Sequence, residues 1–326
     1  MIHIIGAGWY GCFIGNYLAT KGVDYLIWEK DKIFSGASGY NQNRLHQGFH
    51  YPRSYLTRVQ SNRGFDLFVR EFADLIFEIP KNLYVIDKGS IIDFETYKTI
   101  FEAEGYYFSE VNNACLPIGN YDGVICVNEL GICPIRSANY WRKKELRIQE
   151  NVKVNIYDGA LHKGYDKISK RGDKIIDCTW GAFPDFRKDY YVEKFMVLRL
   201  LKKKDIDFGA LTLMDGPFFS IFPEDSSHRY YTLTCVALGK IDEMDERNLI
   251  EIVNCNLDYV RAMYTGFDDD FEYVGFYIGR KLKPKSDRAD SRVLCSAVNN
   301  DVLTIFSGKI DAIFECTRIV DGFIES

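Results

Sequence analysis

The strongest constraint on the fold is a glycine-rich turn close to the N-terminus. The chain opens with an apolar run at residues 2–5, which is typical of a strand buried on both faces. Gly6, Gly8 and Gly11 follow in G-x-G-x-x-G spacing. Residues 9–21 then predict a helix, and residues 24–28 predict a second strand. A strand, a glycine turn, a helix and a strand in this order indicate a dinucleotide-binding βαβ unit.

The three glycines have different roles in such a unit. Gly6 allows the tight turn from strand to helix, Gly8 lets the backbone approach a pyrophosphate, and Gly11 lets the helix pack closely on the strand. The N–H groups at the start of the helix then face the phosphates. Glu29 follows the second strand, 18 residues after Gly11. A carboxylate at this point accepts hydrogen bonds from the adenosine ribose and disfavours a 2′-phosphate.

The loop over residues 41–54, NQNRLHQGFHYPRS, indicates which dinucleotide is bound. It contains two His, two Arg, two Gln and one Tyr around a single glycine. An NAD-binding domain passes into its next helix and strand at this point. A long loop rich in hydrogen-bonding side chains suits the pyrimidine edge of a flavin instead. We therefore predict FAD as the cofactor.

These motifs resemble the D-amino-acid oxidase superfamily of FAD enzymes. The loop looks like the flavin loop of L-2-hydroxyglutarate dehydrogenase and, more distantly, of FAD-dependent glycerol-3-phosphate dehydrogenase, with Leu45, His46, Gly48 and Tyr51 at matching positions. Residues 173–183, DKIIDCTWGAF, are similar to the family's strand that ends near the FAD. Residues 279–293 and the turn at 306–311, FSGKID, are similar to its closing segment. The resemblance implies an α/β (α+β overall) fold with a Rossmann-like, glutathione-reductase-type FAD domain and non-covalent FAD.

The resemblance and the fingerprint together assign the residues that contact the cofactor. Lys309 and the helix predicted over 311–324 are expected to stabilise negative charge on the reduced flavin. The predicted cofactor-binding residues are Gly6, Gly8, Trp9, Tyr10, Gly11, Glu29, Lys30, Ser38, Asn43, Arg44, Leu45, His46, Thr179, Gly181, Gly308, Lys309 and Ile310.

Two histidines of the loop are candidate bases, because imidazole exchanges protons near neutral pH. His46 maps onto the family's flavin loop, and His50 lies two residues beyond Gly48. Arg280 follows a predicted strand, and the resemblance implies that a basic residue near this point binds a substrate carboxylate through a planar fork. It is a third catalytic candidate. The predicted substrate-binding residues are Gln47, Tyr51, Arg53 and Arg280; structural salt bridges are the alternative for the two arginines.

The pattern of elements predicts two interleaved domains. The FAD domain is assembled from residues 1–75, 130–190 and 275–326. A smaller substrate domain on a mixed or antiparallel sheet is built from residues 76–129 and 191–274. A helix over 55–76 is expected to direct Leu56, Val59, Phe65, Phe68, Val69 and Phe72 towards the core. A small-molecule substrate is expected at the domain junction, over the flavin.

Composition excludes several other classes of protein. A net charge of −5 argues against a general nucleic-acid binder, and no apolar run approaches the roughly 20 residues that a membrane span needs. Nine cysteines without a C-x-x-C pair suggest reduced thiols in a cytoplasmic protein, with no disulfide framework and no metal site. A strand beginning at Ile2 leaves no room for a signal peptide. The oligomeric state is not predicted.

Three functions remain open at this point. The first is an FAD-dependent oxidoreductase that moves hydride to flavin N5 from an amine- or hydroxyl-bearing carbon of a small polar substrate, such as an amino acid, hydroxy acid or sugar derivative. The second is a non-redox flavoenzyme acting on a sugar nucleotide, similar to UDP-galactopyranose mutase, whose glycine fingerprint and two-histidine loop are comparable. The third is a non-catalytic nucleotide-binding module.

Overall fold

The structure is a computed structural model that describes residues 1–112, 116–183, 190–241, 246–285 and 292–326. Part of the predicted closing segment, residues 286–291, lies outside the described residues. The helices are α1 (Trp9–Thr20), α2 (Tyr55–Glu71), α3 (Phe94–Ala103), α4 (Pro134–Lys143), α5 (Glu246–Met263), α6 (Phe267–Asp270) and α7 (Cys316–Glu325), with 3₁₀ turns at Ala73–Leu75 and Asp311–Glu315. In the described part of the chain, no helix is both long and apolar enough to cross a membrane.

The strands of the described residues belong to two large sheets and two small ones. In chain order they are β1 (Ile2–Ile5), β2 (Tyr25–Trp28), β3 (Arg44–Leu45), β4 (Ile76–Phe77), β5 (Asn82–Asp87), β6 (Ser109–Glu110), β7 (Tyr121–Val127), β8 (Leu130–Ile132), β9 (Ile148–Gln149), β10 (Asn155–Tyr157), β11 (Ala160–Lys163), β12 (Asp166–Lys167), β13 (Lys174–Asp177), β14 (Tyr190–Lys202), β15 (Ala210–Met214), β16 (Phe219–Pro223), β17 (Tyr230–Cys235), β18 (Lys240–Ile241), β19 (Phe271–Pro284), β20 (Cys295–Asn299) and β21 (Val302–Phe306).

The first large sheet carries the glycine turn. It has six strands in the order β20-β21-β13-β1-β2-β9, and β1 pairs in parallel with both β2 and β13. β1 is buried along its whole length, as predicted for a strand that is covered on both faces. Because β1, β13 and β21 are parallel neighbours, the turns that follow them lie at one edge of the sheet.

The second large sheet has nine strands and mainly antiparallel pairing, with β5 and β15 as a parallel pair. The predicted α/β architecture with a mixed second sheet is confirmed. β19 is hydrogen-bonded to β14 from Phe271 to Pro284, so this sheet continues past the domain boundary predicted at 275. The division of the chain into domains remains a prediction.

A three-stranded sheet, β3-β8-β4, brings the polar loop to the second sheet. In the antiparallel register Arg44 faces Gly131 and Leu45 faces Leu130. The next pair in that register is His46 and Glu129, two residues that are far apart in the chain. The register therefore explains how these two side chains meet.

The prediction of the core-facing side of α2 is wrong for the first turns of the helix. Leu56 and Val59 are 67% and 47% exposed, whereas Phe65 and Phe68 are buried. The buried face continues through polar and small residues, including Arg58 and Gly64, rather than through aliphatic ones. Arg58 bonds the carbonyls of residues 51 and 52, and the backbone at Gly64 lies against Asp311, so this face packs on polar chain segments. The helix predicted over 311–324 likewise begins as a 3₁₀ turn.

Candidate functional site

The turn after β1 has room only for glycine at key positions. Gly6 adopts a φ of +99°, which favours glycine. A Cβ at Gly11 would lie 1.9 Å from the Gly6 carbonyl oxygen, and a Cβ at Gly8 would lie 2.6 Å from Ser38 Oγ. Helix α1 therefore approaches the turn as closely as a dinucleotide-binding unit requires.

The polar groups around this turn fit the nucleotide half of FAD. The Ala7 N–H donates to Glu29 Oε2 at 2.7 Å, and the Trp9 N–H donates to Ser38 Oγ at 3.0 Å. Glu29 and Ser38 thus lie at the first turn of α1, where helical N–H groups lack intrahelical acceptors. The Trp9 indole is buried among Phe34, Phe68, Phe72 and Trp141, so Trp9 offers a ligand its backbone only. Lys30 is exposed.

The two other turns at this edge pack on each other and on α1. Tyr10 Oη donates to the Lys309 carbonyl at 2.7 Å, and Trp180 Nε1 donates to the Ser307 carbonyl at 3.0 Å. The Thr179 hydroxyl donates to Asp177 Oδ1 at 2.6 Å. The segments that contain Thr179, Gly181, Gly308, Lys309 and Ile310 therefore join the glycine turn at one edge, which fits a single extended cofactor.

Glu129 is the centre of a buried group at the end of the polar loop. It is 1% exposed and lies between β7 and β8. Its Oε1 accepts the N–H groups of Gln47 at 2.7 Å and Gly48 at 3.2 Å. Its Oε2 accepts the Tyr84 hydroxyl at 2.6 Å and lies 3.3 Å from His46 Nδ1. We call His46, Tyr51, Tyr84, Glu129 and Lys309 the junction cluster.

Aromatic contacts complete this cluster. The rings of His46, His50 and Tyr51 lie 5.3 to 5.9 Å apart between centroids. Lys309 Nζ lies 4.6 Å from the centre of the Tyr51 ring and 3.6 Å from Asp311 Oδ2. The Lys309 ammonium is buried and has no hydrogen-bond partner among the described residues. The closing turn and the polar loop therefore meet at Tyr51.

Burial and neighbouring charges shift the pKa values in this region. Burial, followed by the nearby Lys309 ammonium, lowers the pKa of His46 to about 4. Burial also lowers the pKa of Lys309 and raises that of Asp311 to about 6. Burial alone raises the pKa of Glu129, but contacts with His46, Tyr84 and Lys309 outweigh this effect and the pKa falls to about 2. At neutral pH the cluster holds a neutral imidazole beside a carboxylate.

Arg44 faces the second large sheet. Arg44 is 8% exposed. Its guanidinium lies 4.2 Å from the centre of the Phe222 ring, and Nη1 donates to Thr212 Oγ1 at 2.7 Å. Thr212 is the partner of Tyr84 across β15 and β5. Arg44 Nε and Nη2 have no hydrogen-bond partner within the described structure. A buried guanidinium with an open edge is costly unless a ligand or water satisfies it.

Four other predicted site residues make structural contacts or lie away from the junction cluster. Arg53 Nε bonds Asp215 Oδ2 at 2.7 Å, the salt bridge that was its alternative interpretation. Arg280 is an exposed residue of β19 opposite Lys194, and the described contacts do not bring it to the junction cluster. Leu45 is fully buried, and the Asn43 carbonyl accepts the Ile132 N–H. The roles assigned to these four residues remain predictions.

Sequence reasoning missed four residues of the site: Tyr84, Glu129, Thr212 and Asp311. Tyr84 and Thr212 lie inside apolar strand patterns, where their hydroxyl groups carry no signal of function. Glu129 stands in a short connection between strands, which ordinarily indicates a solvated turn. Only the pairing of β3 with β8 places Glu129 beside the polar loop.

Known proteins of similar sequence are FAD-dependent enzymes. The family described as FAD dependent oxidoreductase (DAO) matches residues 1–103. The FAD-dependent monooxygenase FPY4 of Fusarium mangiferae is 30% identical over 329 residues, which cover 95% of this chain and 87% of the relative.

Solved structures share the fold at low sequence identity. The L-α-glycerophosphate oxidase from Mycoplasma pneumoniae, with FAD bound, has a TM-score of 0.75 at 13% identity and covers 100% of this chain and 94% of its own. Glycine oxidase from Geobacillus kaustophilus has a TM-score of 0.72 at 13% identity, covering 99% and 94%.

These findings confirm FAD as the cofactor and redox chemistry as the class of reaction. They leave the alternatives of a mutase and of a non-catalytic module without support from the relatives. The chain belongs to the DAO family of FAD-dependent oxidoreductases.

Proposed function

We propose that this enzyme oxidises a carbon that bears an amine or a hydroxyl group in a small polar substrate. The proposal rests on the junction cluster, where a largely buried, neutral imidazole lies beside the closing turn. The bound FAD supplies the hydride acceptor, N5. The protein supplies a base and a buried cation.

His46 is the proposed base. It is neutral at neutral pH because its pKa lies near 4, so one ring nitrogen is free to accept the proton of a substrate O–H or N–H group. His50 stacks beside it at 5.4 Å between ring centres and is the second candidate. Lys309 Nζ lies over the Tyr51 ring, and that ring contacts both histidines. The buried positive charge of Lys309 stabilises negative charge that develops during oxidation.

Arg44 is the proposed anchor for the substrate. In Arg53 and Arg199 the Nε and Nη2 edge of the guanidinium holds a carboxylate, at Asp215 and Glu224 respectively. The same edge of Arg44 is open and buried. A carboxylate, or another pair of acceptor oxygens, satisfies this edge bidentately. Arg44, rather than Arg280, is therefore our candidate for a substrate acid, although it was first predicted as a cofactor contact.

The proposal is tested by anaerobic titration of the purified flavoprotein. Amino acids, 2-hydroxy acids and uncharged sugar derivatives are added one class at a time while the oxidised flavin absorbance is followed. We expect one class to bleach the flavin without NADH or NADPH. If every class leaves the flavin oxidised and only a reduced nicotinamide bleaches it, the proposal is wrong.

The relative named as a monooxygenase favours a second candidate, the insertion of an oxygen atom into the substrate. The two functions differ in the source of electrons and in the fate of O2. An oxidase or dehydrogenase takes both electrons from its substrate, whereas an external flavin monooxygenase requires reduced nicotinamide. Mass spectrometry of the product formed under ¹⁸O₂ distinguishes them, because only oxygen insertion places the label in the product.

A further inference from the structure

We propose that Glu129 is a positioning residue that holds the proton of His46 on Nδ1 and so leaves Nε2 as the nitrogen that receives the substrate proton. This inference rests on the proposed role of His46 as the base. It extends that role by naming the nitrogen that reacts and the group that selects it.

The hydrogen bonds of Glu129 indicate which nitrogen of His46 carries the hydrogen. An ionised carboxylate has acceptors only. Glu129 is buried, and donors surround it: two backbone N–H groups reach Oε1, and the Tyr84 hydroxyl reaches Oε2 at 2.6 Å. These bonds favour the ionised form. The contact at 3.3 Å between Oε2 and His46 Nδ1 therefore requires that Nδ1 carry the hydrogen.

Donors from two parts of the chain fix the Glu129 carboxylate. The N–H groups on Oε1 belong to Gln47 and Gly48, the residues directly after His46. The hydroxyl on Oε2 comes from Tyr84 in β5, a different part of the chain. One carboxylate thus holds both the backbone that carries the imidazole and the imidazole itself. The carboxylate is held by three donors other than the His46 ring.

The inference must be separated from a purely structural role, in which Glu129 only satisfies the loop N–H groups. The substitution Glu129→Gln makes this separation. A glutamine carbonyl oxygen at the Oε1 position still accepts the two N–H groups. The amide NH₂ at the Oε2 position is a donor, so His46 Nδ1 must become an acceptor and the hydrogen moves to Nε2. The loop keeps its support while the tautomer changes.

Nitrogen-15 NMR of the FAD-loaded enzyme with labelled histidine reads the tautomer without any substrate. The chain has five histidines, and a His46→Asn sample identifies the His46 signals by their loss. We expect wild-type enzyme to carry hydrogen on Nδ1 and the Glu129→Gln enzyme to carry it on Nε2. A wild-type His46 protonated on Nε2 overturns the inference, even if the variants fail to fold.

Kinetics supply the second readout. For Glu129→Gln we expect kcat to fall about 100-fold, the scale of general-base catalysis, with KM within about threefold and the FAD content unchanged. Tyr84→Phe keeps the carboxylate and should keep the Nδ1–H tautomer. Glu104→Gln is the matched control, because Glu104 supports the same loop through Arg58 without contacting His46; it should change kcat less than threefold.

The outcomes also distinguish this inference from the proposed function. A changed tautomer with unchanged kcat shows that His46 is not the base and overturns both. An unchanged tautomer with a large fall in kcat overturns only the positioning role. A fall in FAD content that matches the fall in activity assigns Glu129 a structural role. If no substrate bleaches the flavin, the NMR result alone still decides whether Glu129 sets the tautomer.

Discussion

The glycine turn and the junction cluster are built in opposite ways. The turn and its carboxylate come from one continuous stretch, residues 6–29, whose backbone shape dictates the residue type. The cluster joins the polar loop to Tyr84, Glu129 and Lys309, which are brought together by strand pairing and by the closing turn. The glycine turn is therefore set by local geometry, whereas the proposed substrate site depends on tertiary contacts.

The largest effect is expected from closing the glycine turn. The substitution Gly11→Ala places a methyl group against the Gly6 carbonyl, so α1 must move away from the turn. We expect the FAD content, measured from absorbance per mole of purified protein, to fall more than tenfold. Gly322→Ala in α7 is the control, since nothing lies within 4 Å of its Cβ and it should retain FAD. Full FAD in Gly11→Ala would show that the turn does not need this close approach.

Replacing Arg44, the proposed substrate anchor, is expected to lower catalysis without changing FAD binding. Arg44→Lys loses the open bidentate edge but keeps a positive charge. We expect kcat/KM to fall roughly 10- to 100-fold, in line with the loss of charged hydrogen bonds worth about 1.5–3 kcal/mol. The FAD content should not change. Arg199→Lys, at an ion pair in β14 of the second large sheet, is the control. If Arg44→Lys loses FAD in proportion to activity, Arg44 is a cofactor contact, as the sequence first predicted.

His46 of the junction cluster and the neighbouring Asp311 should change the pH dependence of stability in opposite directions. His46 has a pKa of about 4 in the fold against 6.5 ordinarily, so the unfolded chain binds its proton first and stability is lost as pH falls from 6.5 to 4. Asp311 has a pKa of about 6 against 3.8, so the fold binds its proton first and stability is gained as pH falls from 6 to 3.8. The two contributions offset each other.

The substitution Asp311→Asn removes the stability that protonation of Asp311 adds at low pH and leaves the loss that His46 causes. Urea unfolding at pH 7, 6, 5 and 4.5 should show a steeper decline for the variant than for wild type, by up to about 1.4 kcal/mol per pH unit. Other charges near these two groups, Glu129, Lys309 and Arg44, are common to both proteins. If stability falls equally with pH in wild type and Asp311→Asn, the opposing contributions of His46 and Asp311 are contradicted.

The smallest effect is expected on the outer face of α2. Leu56→Ser should change the free energy of unfolding by less than about 0.5 kcal/mol, because Leu56 is exposed. Phe68→Ala, on the buried face of the same helix, should cost about 3–5 kcal/mol. Chemical unfolding of both variants checks this contrast. If both substitutions lower the free energy of unfolding by a similar amount, Leu56 faces the core, as the hydrophobic periodicity predicts.

Prediction from sequence succeeded where residue type is tied to backbone shape. Gly6, Gly8 and Gly11 lie at the turn as expected, because a positive φ at Gly6 and close neighbours at all three positions leave little room for a Cβ. Glu29 lies beside them and accepts the Ala7 N–H. The two sheets were also predicted in kind, the first from the continuous apolar run of β1. These signals are local and need no knowledge of the rest of the chain.

The rest could not be predicted because it depends on which distant residues meet. Leu56 and Val59 follow a helical period, but the polar loop occupies the place of an apolar core beside that helix. The open edge of Arg44 depends on Thr212 and Phe222, more than 160 residues away. A burial pattern can identify a core position, but it cannot identify the partner of a buried charge.

The most direct test of the central claim is to measure FAD content and the rate of anaerobic flavin reduction on the same sample of His46→Asn, with the substrate that bleaches the wild-type flavin. If local geometry holds the cofactor and the junction cluster performs the chemistry, the variant retains wild-type FAD and is reduced at least about 100-fold more slowly. A wild-type reduction rate, or a loss of FAD that accounts for the slower reaction, would contradict the account.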